Sequence, residues 1–315
     1  MKRQFWIKLI GFNLLLLVSA LILQQFFFSI PQLEILKDGL KDEEGIIFVG
    51  ASITKQYASS DTDRRSIPEM LGSFLPDGRK VYPITTEGYD PKVYESISDY
   101  IIRQDKRPNL VIVSVILNFF GPDYIYAKPR FEIEKATYRS GNNPLDTLYT
   151  RLYLLLANTP KILEKEQEIS DEAQIYVNDT ALGQRKDLLE LEQRYGGAKV
   201  RLAEMYLYQF DKDNDQYLAF ERMLSNYNEN DIPVLLYINP VDVDLGEKNF
   251  GEDFRAIVTE NARSITDLAS RYSTPIIDMK FDLTHQAFRD SDSAEEHLNQ
   301  IGRMYIAKKL SDQLS

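Results

Sequence analysis

The sequence of 315 residues contains no cysteine and only two histidines, His285 and His297. The absence of cysteine excludes disulfides, iron–sulfur ligation, thiolate zinc sites and lipoprotein anchoring through cysteine. Zinc enzymes generally need several His or carboxylate ligands at fixed spacing, which two well-separated histidines do not supply. We therefore expect no metal and no cofactor, and chemistry that needs an imidazole base must use one of these two residues.

Long basic runs are also absent, and 48 Asp and Glu residues against 37 Lys and Arg give a formal net charge of −11. An acidic surface repels phosphate backbones, so the composition argues against a nucleic-acid partner. With 43% hydrophobic residues, the chain can bury one sizeable core with an added lobe.

A long uncharged run lies near the N-terminus, where Lys2, Arg3 and Lys8 precede Leu9–Ile30. As a helix this run would be roughly 33 Å long, enough to cross the hydrocarbon core of a bilayer. Positive charge before the run and acidic sequence after it predict a cytoplasmic N-terminus and an extracytoplasmic remainder. The alternatives are a cleaved signal peptide, processed at Val18-Ser19-Ala20, and a buried soluble helix.

From about residue 45 the chain alternates between short apolar runs and amphipathic helical patterns. The apolar runs are typical of buried parallel strands and lie at Ile46–Val49, Val81–Ile84, Leu110–Leu117, Val234–Ile238 and Pro275–Asp278. Helical patterns lie at Asp90–Ile101, where Asp90 is the predicted cap, at about Asp253–Arg271, and at Gln300–Leu314. This alternation indicates a three-layer, flavodoxin-like α/β fold with a parallel sheet.

The stretch from about 130 to 230 contains no convincing strand. Leu145–Glu166 and Arg185–Tyr227 are charged, amphipathic and helix-favouring, which predicts a helical insertion between the third and fourth strands. The insertion could cover an active site or bind a partner, or its helices could simply pack on the scaffold. The predicted organisation is an anchor over residues 1–31, a linker over 32–44 and an α/β domain over 45–315.

A serine follows the first predicted strand, in Gly50-Ala51-Ser52-Ile53-Thr54. The turn places Ser52 at the carboxyl edge of a parallel sheet, where open α/β folds bind their ligands. Glycine permits this turn, and the residues that follow can start a helix whose amides favour a developing oxyanion. Without other evidence, a serine in such a short block is more typical of a structural turn than of a catalytic nucleophile.

Two further residues follow neighbouring strands in the same way. Gly88 follows the second predicted strand, Asn118 follows the third, and His297 precedes the last helix. Since the ends of adjacent strands are neighbours in space, all of these residues can converge on Ser52. The Ser52 and Gly88 amides and the Asn118 side chain would then form an oxyanion hole, with His297 accepting the Ser52 proton.

These residues resemble the blocks of the SGNH (GDSL-type) hydrolase superfamily, over roughly residues 45–125 and 230–315. Gly50–Thr54 matches the serine block, although Ala51 replaces the usual aspartate, and Gly88 matches the glycine block. Asn118 matches the asparagine block, although Ile116 and Phe119 replace the flanking glycine and aspartate. The histidine block is matched by His297-Leu298-Asn299 with Gly302.

The family's acid normally lies three residues before the histidine, where this chain has Ala294. Asp292, Glu295 and Glu296 are nearby, and a shift of one residue could let Glu295 hold the imidazole as the third catalytic residue. Otherwise a backbone carbonyl orients His297, and the site is a Ser–His dyad.

A membrane anchor before such a domain is similar to the arrangement in proteins that modify extracytoplasmic polymers such as teichoic acid and alginate. The resemblance implies a single-pass protein of the bacterial cytoplasmic membrane, acting outside the cytoplasm as a serine esterase or O-acyltransferase. Its substrate would be an envelope glycan or another acyl ester, with a membrane-bound acyltransferase as a candidate partner. The alternative is a catalytically degenerate scaffold that acts as a docking subunit of a polysaccharide-modifying complex.

Other patterns have simpler interpretations. Asp211–Asp215 starts like a calcium loop, but Gln216 replaces the turn glycine and Arg222 stands where the bidentate glutamate belongs. His285 is expected to be structural or exposed. Aromatic residues after the third strand could line an acyl or sugar site, although such residues are more often core: Phe119, Phe120, Tyr124 and Tyr126.

Overall fold

The computed structural model describes residues 11–13, 19, 30–125, 130–140, 197–289 and 296–315. One five-stranded sheet runs through them in the order β2-β1-β3-β4-β5, and all neighbouring strands are parallel. The strands are β1 (Ile46–Gly50), β2 (Val81–Thr85), β3 (Leu110–Val115), β4 (Val234–Ile238) and β5 (Ile276–Asp278). This order is that of flavodoxin-like sheets, so the predicted α/β fold with a parallel sheet is confirmed.

Helices separate the strands along the chain. Those of the described residues are α1 (Pro31–Lys41), α2 (Ser52–Lys55), α3 (Ile67–Phe74), α4 (Pro91–Ile102), α5 (Pro122–Ile125), α6 (Glu132–Ser140), α7 (Gly197–Tyr206), α8 (Asp215–Glu229), α9 (Val243–Phe250), α10 (Glu252–Arg271) and α11 (Gln300–Leu314). Short 3₁₀ turns occupy Leu117–Phe120 and His285–Ala287.

The inner strands are aliphatic because both of their faces are covered. Every residue of β1 and β4 is buried, as are all residues of β3 except Leu110. The edge strands β2 and β5 are more exposed, and β2 accommodates Pro83, a residue that edge strands tolerate. The third strand ends at Val115, earlier than predicted, because the chain turns into the 3₁₀ segment that carries Asn118.

The predicted start of α4 is confirmed in detail. The Asp90 side chain accepts a hydrogen bond from the Val93 amide, and Pro91 occupies the first turn. Pro91 has no amide hydrogen to satisfy there, and the cap satisfies one of the free amides of the first turn.

The segment expected to be a linker, residues 32–44, contains α1 instead. Its apolar residues Leu33, Leu36 and Leu40 fall on one face and are buried, and the helix packs against β2. Spacing of three and four residues gives this buried stripe, and burial of leucines offsets the entropy of ordering the segment.

The described residues between β3 and β4 form helices and loops without a strand. Residues 141–196 of the predicted insertion lie outside the described residues. Since α8 packs along α4 and leads directly into β4, it is a crossover helix of the scaffold, and its residues do not belong to the insertion.

No helix among the described residues has the length and apolar character needed to cross a bilayer. The predicted span, Leu9–Ile30, lies outside these residues except at 11–13, 19 and 30. The membrane anchor therefore stays a prediction.

Candidate active site

Ser52 begins α2 directly beyond the carboxyl end of β1, and the serine block builds the turn that holds it. A Cβ on Gly50 would lie 2.7 Å from Thr54 Cγ2, so only glycine fits. Thr54 Oγ1 donates to the Ala51 carbonyl at 2.7 Å, and the Gln56 amide donates to the Ser52 carbonyl at 2.8 Å. The glycine and threonine of this block thus have structural roles, while Ser52 itself is half-buried.

His297 lies beside this serine. Its Nε2 is 3.2 Å from Ser52 Oγ, at the upper end of the range for a base and its nucleophile. The two residues are separated by 245 positions in the chain, so only the fold brings them together. The structure thus places the predicted nucleophile within hydrogen-bond reach of the predicted base.

The loop that carries His297 is held by a backbone bridge. Phe288 and Leu298 form an antiparallel bridge, and the Arg289 amide donates to the His297 carbonyl at 2.8 Å. The Asn299 amide donates to the Ala287 carbonyl at 3.0 Å. His297 is therefore fixed on both sides by hydrogen bonds to a single neighbouring segment.

Asn299 and Gly302 of the histidine block have structural roles as well. Asn299 caps α11, accepting hydrogen bonds from the Ile301 amide at 2.9 Å and the Gly302 amide at 3.4 Å. A Cβ on Gly302 would lie 2.7 Å from the Ala287 carbonyl oxygen, so glycine is needed where α11 passes the 3₁₀ turn that ends at Ala287. These contacts explain why both residue types accompany the histidine.

A buried ion pair, not predicted from the sequence, joins the serine side of the site to α11. Arg303 is 0% exposed, and its Nη1 donates to Asp61 Oδ2 at 2.8 Å and to the Leu298 carbonyl at 3.0 Å. Burial opposes ionisation of Asp61, but hydrogen bonds from Arg303 and from backbone amides lower the pKa of this carboxyl. Arg303 therefore connects the loop after α2 to the segment beside His297.

Gly88 lies in the turn after β2, next to the serine turn. Its φ of +76° is in the left-handed region that favours glycine. Gly50 pairs with Thr85 in the β1–β2 register, and Gln56 Nε2 donates to Glu87 Oε1 at 2.9 Å. The turn with Gly88 is therefore joined to the residue that follows α2.

Asn118 lies in the 3₁₀ turn after β3, on the other side of β1. Its side chain is 8% exposed, and its Oδ1 accepts no hydrogen bond from any residue that the structure describes. The neighbouring Ile116 and Phe119 are buried core residues where the resemblance expects glycine and aspartate. Ser52, Gly88 and Asn118 thus follow the carboxyl ends of three adjacent strands, with Ser52 on the middle one.

Three residues near the expected position of the acid, Asp292, Ala294 and Glu295, lie outside the described residues. Glu296 is described, and its Oε1 accepts a hydrogen bond from Tyr206 Oη at 2.6 Å. Burial raises the pKa of Glu296 to about 7, against the opposing effects of Tyr206 and Arg201. The residue directly before His297 is therefore a carboxyl group that titrates near neutral pH.

The second histidine is engaged elsewhere. His285 Nδ1 lies 2.6 Å from Asp242 Oδ2, and the His285 amide donates to Asp244 Oδ2 at 2.9 Å. These contacts fit the structural role expected of His285. Among the described ranges, no group of three or more His, Asp or Glu residues is arranged to hold a metal ion.

The calcium-like sequence is a helix cap. Asn214 accepts hydrogen bonds from the amides of Gln216 at 3.0 Å and Tyr217 at 2.9 Å at the start of α8, and Asp215 pairs with Lys92. Phe119 and Phe120 are only 2% and 1% exposed, so they are core residues. Tyr126 lies outside the described residues.

No protein-family model matches the chain, and no curated protein matches it. Three solved structures among those that match are esterases. An inhibitor-bound aryl esterase of M. smegmatis is 12% identical with a TM-score of 0.36, over 86% of this chain and 98% of that chain. An acetyl-xylooligosaccharide esterase of Geobacillus is 11% identical with a TM-score of 0.41, over 87% of this chain and 97% of that chain.

An acetylxylan esterase of Geobacillus stearothermophilus, as a catalytic mutant, is 10% identical with a TM-score of 0.41, over 87% of this chain and 95% of that chain. At these TM-scores the likenesses are too distant to assign an activity.

Proposed function

We propose that the chain is a serine esterase or O-acyltransferase that works through an acyl-serine intermediate. The observation that carries the proposal is the 3.2 Å separation of His297 Nε2 and Ser52 Oγ. The position of Ser52 supports it, because a turn beyond the carboxyl ends of parallel strands is where open α/β sheets bind their ligands.

In this mechanism Ser52 Oγ attacks the ester carbonyl carbon while His297 Nε2 accepts the hydroxyl proton. The carbonyl oxygen becomes negative, and the Ser52 and Gly88 amides with the Asn118 side chain stabilise it. Collapse of the tetrahedral intermediate expels the alcohol, which takes the proton from His297. Water or a sugar hydroxyl then attacks the acyl-serine carbonyl carbon while His297 accepts the proton of the attacking hydroxyl. The bond from the acyl carbon to Ser52 Oγ breaks, His297 returns the proton to Ser52 Oγ, and the acid or the new ester leaves.

We propose that His297 works in a dyad, since the position of the usual acid is Ala294. The alternative is a displaced triad in which Glu295 orients the imidazole. Loss of a true triad acid costs as much as ~10⁴-fold in rate. Glu295→Gln should cost much less than that, and a loss equal to that of His297→Ala would establish the displaced triad instead.

The competing proposal is a degenerate scaffold that docks within an envelope polysaccharide-modifying complex. It is favoured by Ala51, Ile116 and Phe119, which are buried apolar residues where the resemblance expects aspartate, glycine and aspartate. The enzyme hypothesis is favoured by the retained pair of Ser52 and His297. A docking scaffold has no need for a hydroxyl and an imidazole within hydrogen-bond reach.

Kinetics on an aryl acetate separate these proposals. Ser52→Ala and His297→Ala should each abolish hydrolysis, because the nucleophile or its base is lost. Ser60→Ala is the matched control, since Ser60 is an exposed serine in the following loop and should keep full activity. Undiminished hydrolysis by Ser52→Ala would remove the enzyme hypothesis.

We further propose that the domain lies outside the cytoplasm, anchored by Leu9–Ile30, and acts on an envelope glycan, with a membrane-bound acyltransferase as a candidate partner. The charge pattern around that run supports the orientation. A reporter fused after Ser315 should be extracytoplasmic, and extraction should require detergent. Recovery of the full chain as a soluble cytoplasmic protein would contradict the anchor.

A further inference from the structure

Two tyrosines at the end of α7 contact the loops on either side of Ser52. Tyr206 is 3% exposed, and its hydroxyl donates to Glu296 Oε1 at 2.6 Å. Glu296 directly precedes His297, so this bond fixes the entry of the chain into the histidine block. The contact crosses 90 positions of sequence, from the region between β3 and β4 to the loop before α11.

Tyr208 acts on the opposite loop. It is 3% exposed, and its hydroxyl donates to the Leu117 carbonyl at 2.6 Å. Leu117 directly precedes Asn118, and a Cβ on Gly121 would lie 3.1 Å from the Tyr208 ring. The tyrosine therefore holds the turn with Asn118 both by a hydrogen bond and by close packing.

The backbone of these tyrosines is itself fixed to a scaffold helix. Asn261 of α10 is 2% exposed, and its Nδ2 donates to the carbonyls of Tyr206 at 3.2 Å and Tyr208 at 3.4 Å. The Tyr206 ring also packs edge to face on Phe254 of α10, with centroids 5.8 Å apart. Both tyrosines therefore have the rigid support that a positioning residue needs.

We propose that Tyr206 and Tyr208, together called the tyrosine brace, are positioning residues that align His297 and Asn118 with Ser52. The inference rests on the proposed function and assigns a role to the C-terminal end of the region between β3 and β4. Neither tyrosine takes part in bond making. They act through Glu296 and Leu117, each one residue away from a group proposed to contact the reacting atoms.

The test is Tyr206→Phe and Tyr208→Phe, with kcat and KM measured separately on an aryl acetate. A misplacement of about 1 Å can cost on the order of 10²-fold in rate, so each variant should lose roughly 10- to 100-fold in kcat with KM changed less than about twofold. Tyr227→Phe in α8 is the matched control. Tyr227 is 1% exposed and its hydroxyl has no partner among the described residues, so its removal should leave kcat unchanged.

Variants of Glu296 test the hydrogen bond between Tyr206 and Glu296 by changing the acceptor, and they leave the tyrosine unchanged. Glu296→Ala removes the acceptor and should lower kcat as Tyr206→Phe does. Glu296→Gln keeps an acceptor oxygen and should retain most of kcat. If Glu296→Ala keeps wild-type kcat, the link to His297 has no catalytic consequence and that half of the proposal is overturned.

The remaining outcomes of these measurements show whether the tyrosine brace fails alone or the proposed function fails with it. Wild-type kcat in both Phe variants, with only the melting temperature lowered, would show a purely structural role and overturn the brace. In that case Ser52→Ala would still be inactive, and the proposed function would stand. Full activity of Ser52→Ala would overturn the function and the brace together.

Discussion

On the histidine side of the candidate site, residues of the loop and of the start of α11 make specific contacts of their own. The residues around Asn118 hold their turn mainly by apolar packing, and Tyr208 adds one hydrogen bond from outside the turn. Asn299 caps α11, Gly302 permits close contact with Ala287, and Arg303 forms a buried ion pair with Asp61. Each of these interactions demands a particular residue type. Substitution of Asn299 or Arg303 by an apolar residue of similar size would lose the interaction.

Within the described residues, the side chains of the turn with Asn118 make no comparable set of polar bonds, and the Leu117 carbonyl accepts its hydrogen bond from Tyr208, outside the turn. Ile116, Leu117, Phe119 and Phe120 around it are all buried in the core. Packing of this kind accepts many apolar residues of suitable volume. Contacts that require particular residue types leave a recognisable pattern around His297, whereas apolar packing around Asn118 requires no particular flanking residue.

The largest effect should come from breaking the histidine side at its buried charge. Arg303→Leu leaves Asp61 buried without its partner, which should lower the free energy of unfolding by about 3–5 kcal/mol. Arg65→Leu is the control, because the Arg65–Asp63 pair is well exposed and should contribute about 1 kcal/mol or less. Urea denaturation measures both variants, and equal losses would contradict the role assigned to the buried pair.

On the asparagine side, substitution of Asn118 should lower activity without lowering stability. Asn118→Ala removes the proposed oxyanion donor, so kcat should fall by about 10²- to 10³-fold. It also removes a buried Oδ1 that accepts no hydrogen bond within the described part of the chain, so stability should be unchanged or slightly higher. A kcat within a few fold of wild type would show that Asn118 does not serve the oxyanion.

A single methyl group tests the close contact at the start of α11. Gly302→Ala would press a Cβ against the Ala287 carbonyl and should destabilise the fold by about 1–3 kcal/mol while lowering activity through displacement of His297. Gly72→Ala in α3 is the matched control, because its Cβ would meet nothing closer than Val81 Cγ2 at 3.7 Å. Alanine favours a helix more than glycine does, so the control should be neutral or stabilising by up to about 1 kcal/mol.

The smallest effect concerns the carboxyl that precedes His297. The pKa of Glu296 is raised from 4.5 to about 7 in the fold, so its contribution to stability is complete below pH 4.5 and is lost as pH rises through about 7. The Glu296→Gln side chain cannot ionise. The melting temperature of this variant, relative to that of the wild type, should therefore increase as pH rises. One pKa unit corresponds to about 1.4 kcal/mol, and partial exposure keeps the gain below about 3 kcal/mol.

Melting curves at pH 5 and pH 8.5 measure this difference. The gain of the variant over wild type should be larger at pH 8.5. The same gain at both pH values would show that the Glu296 carboxyl titrates as an ordinary exposed group.

Features set by local sequence could be predicted. The aliphatic runs of β1, β3 and β4 and the Asp90 cap of α4 follow from burial periodicity and capping chemistry over a few residues. The position of Ser52 at a strand end follows in the same way, because the turn after a parallel strand has a recognisable glycine.

Features that depend on distant contacts could not be predicted. Arg303 and Asp61 are 242 positions apart, and no local pattern of either residue indicates the other. Tyr206 and Tyr208 lie in a region read only as amphipathic helix, and their partners appear only once the chain has folded. The helix α1 was missed because its short leucine stripe gains stability only by packing on β2.

We propose above that Ser52 is a nucleophile activated by His297. The most direct test of this claim is labelling of the folded protein with a fluorophosphonate, followed by mass mapping of the modified peptide. We expect stoichiometric modification at Ser52, abolished in Ser52→Ala, strongly slowed in His297→Ala and unchanged in Ser60→Ala. Absence of labelling in the wild-type protein, or labelling at a serine other than Ser52, would contradict the claim.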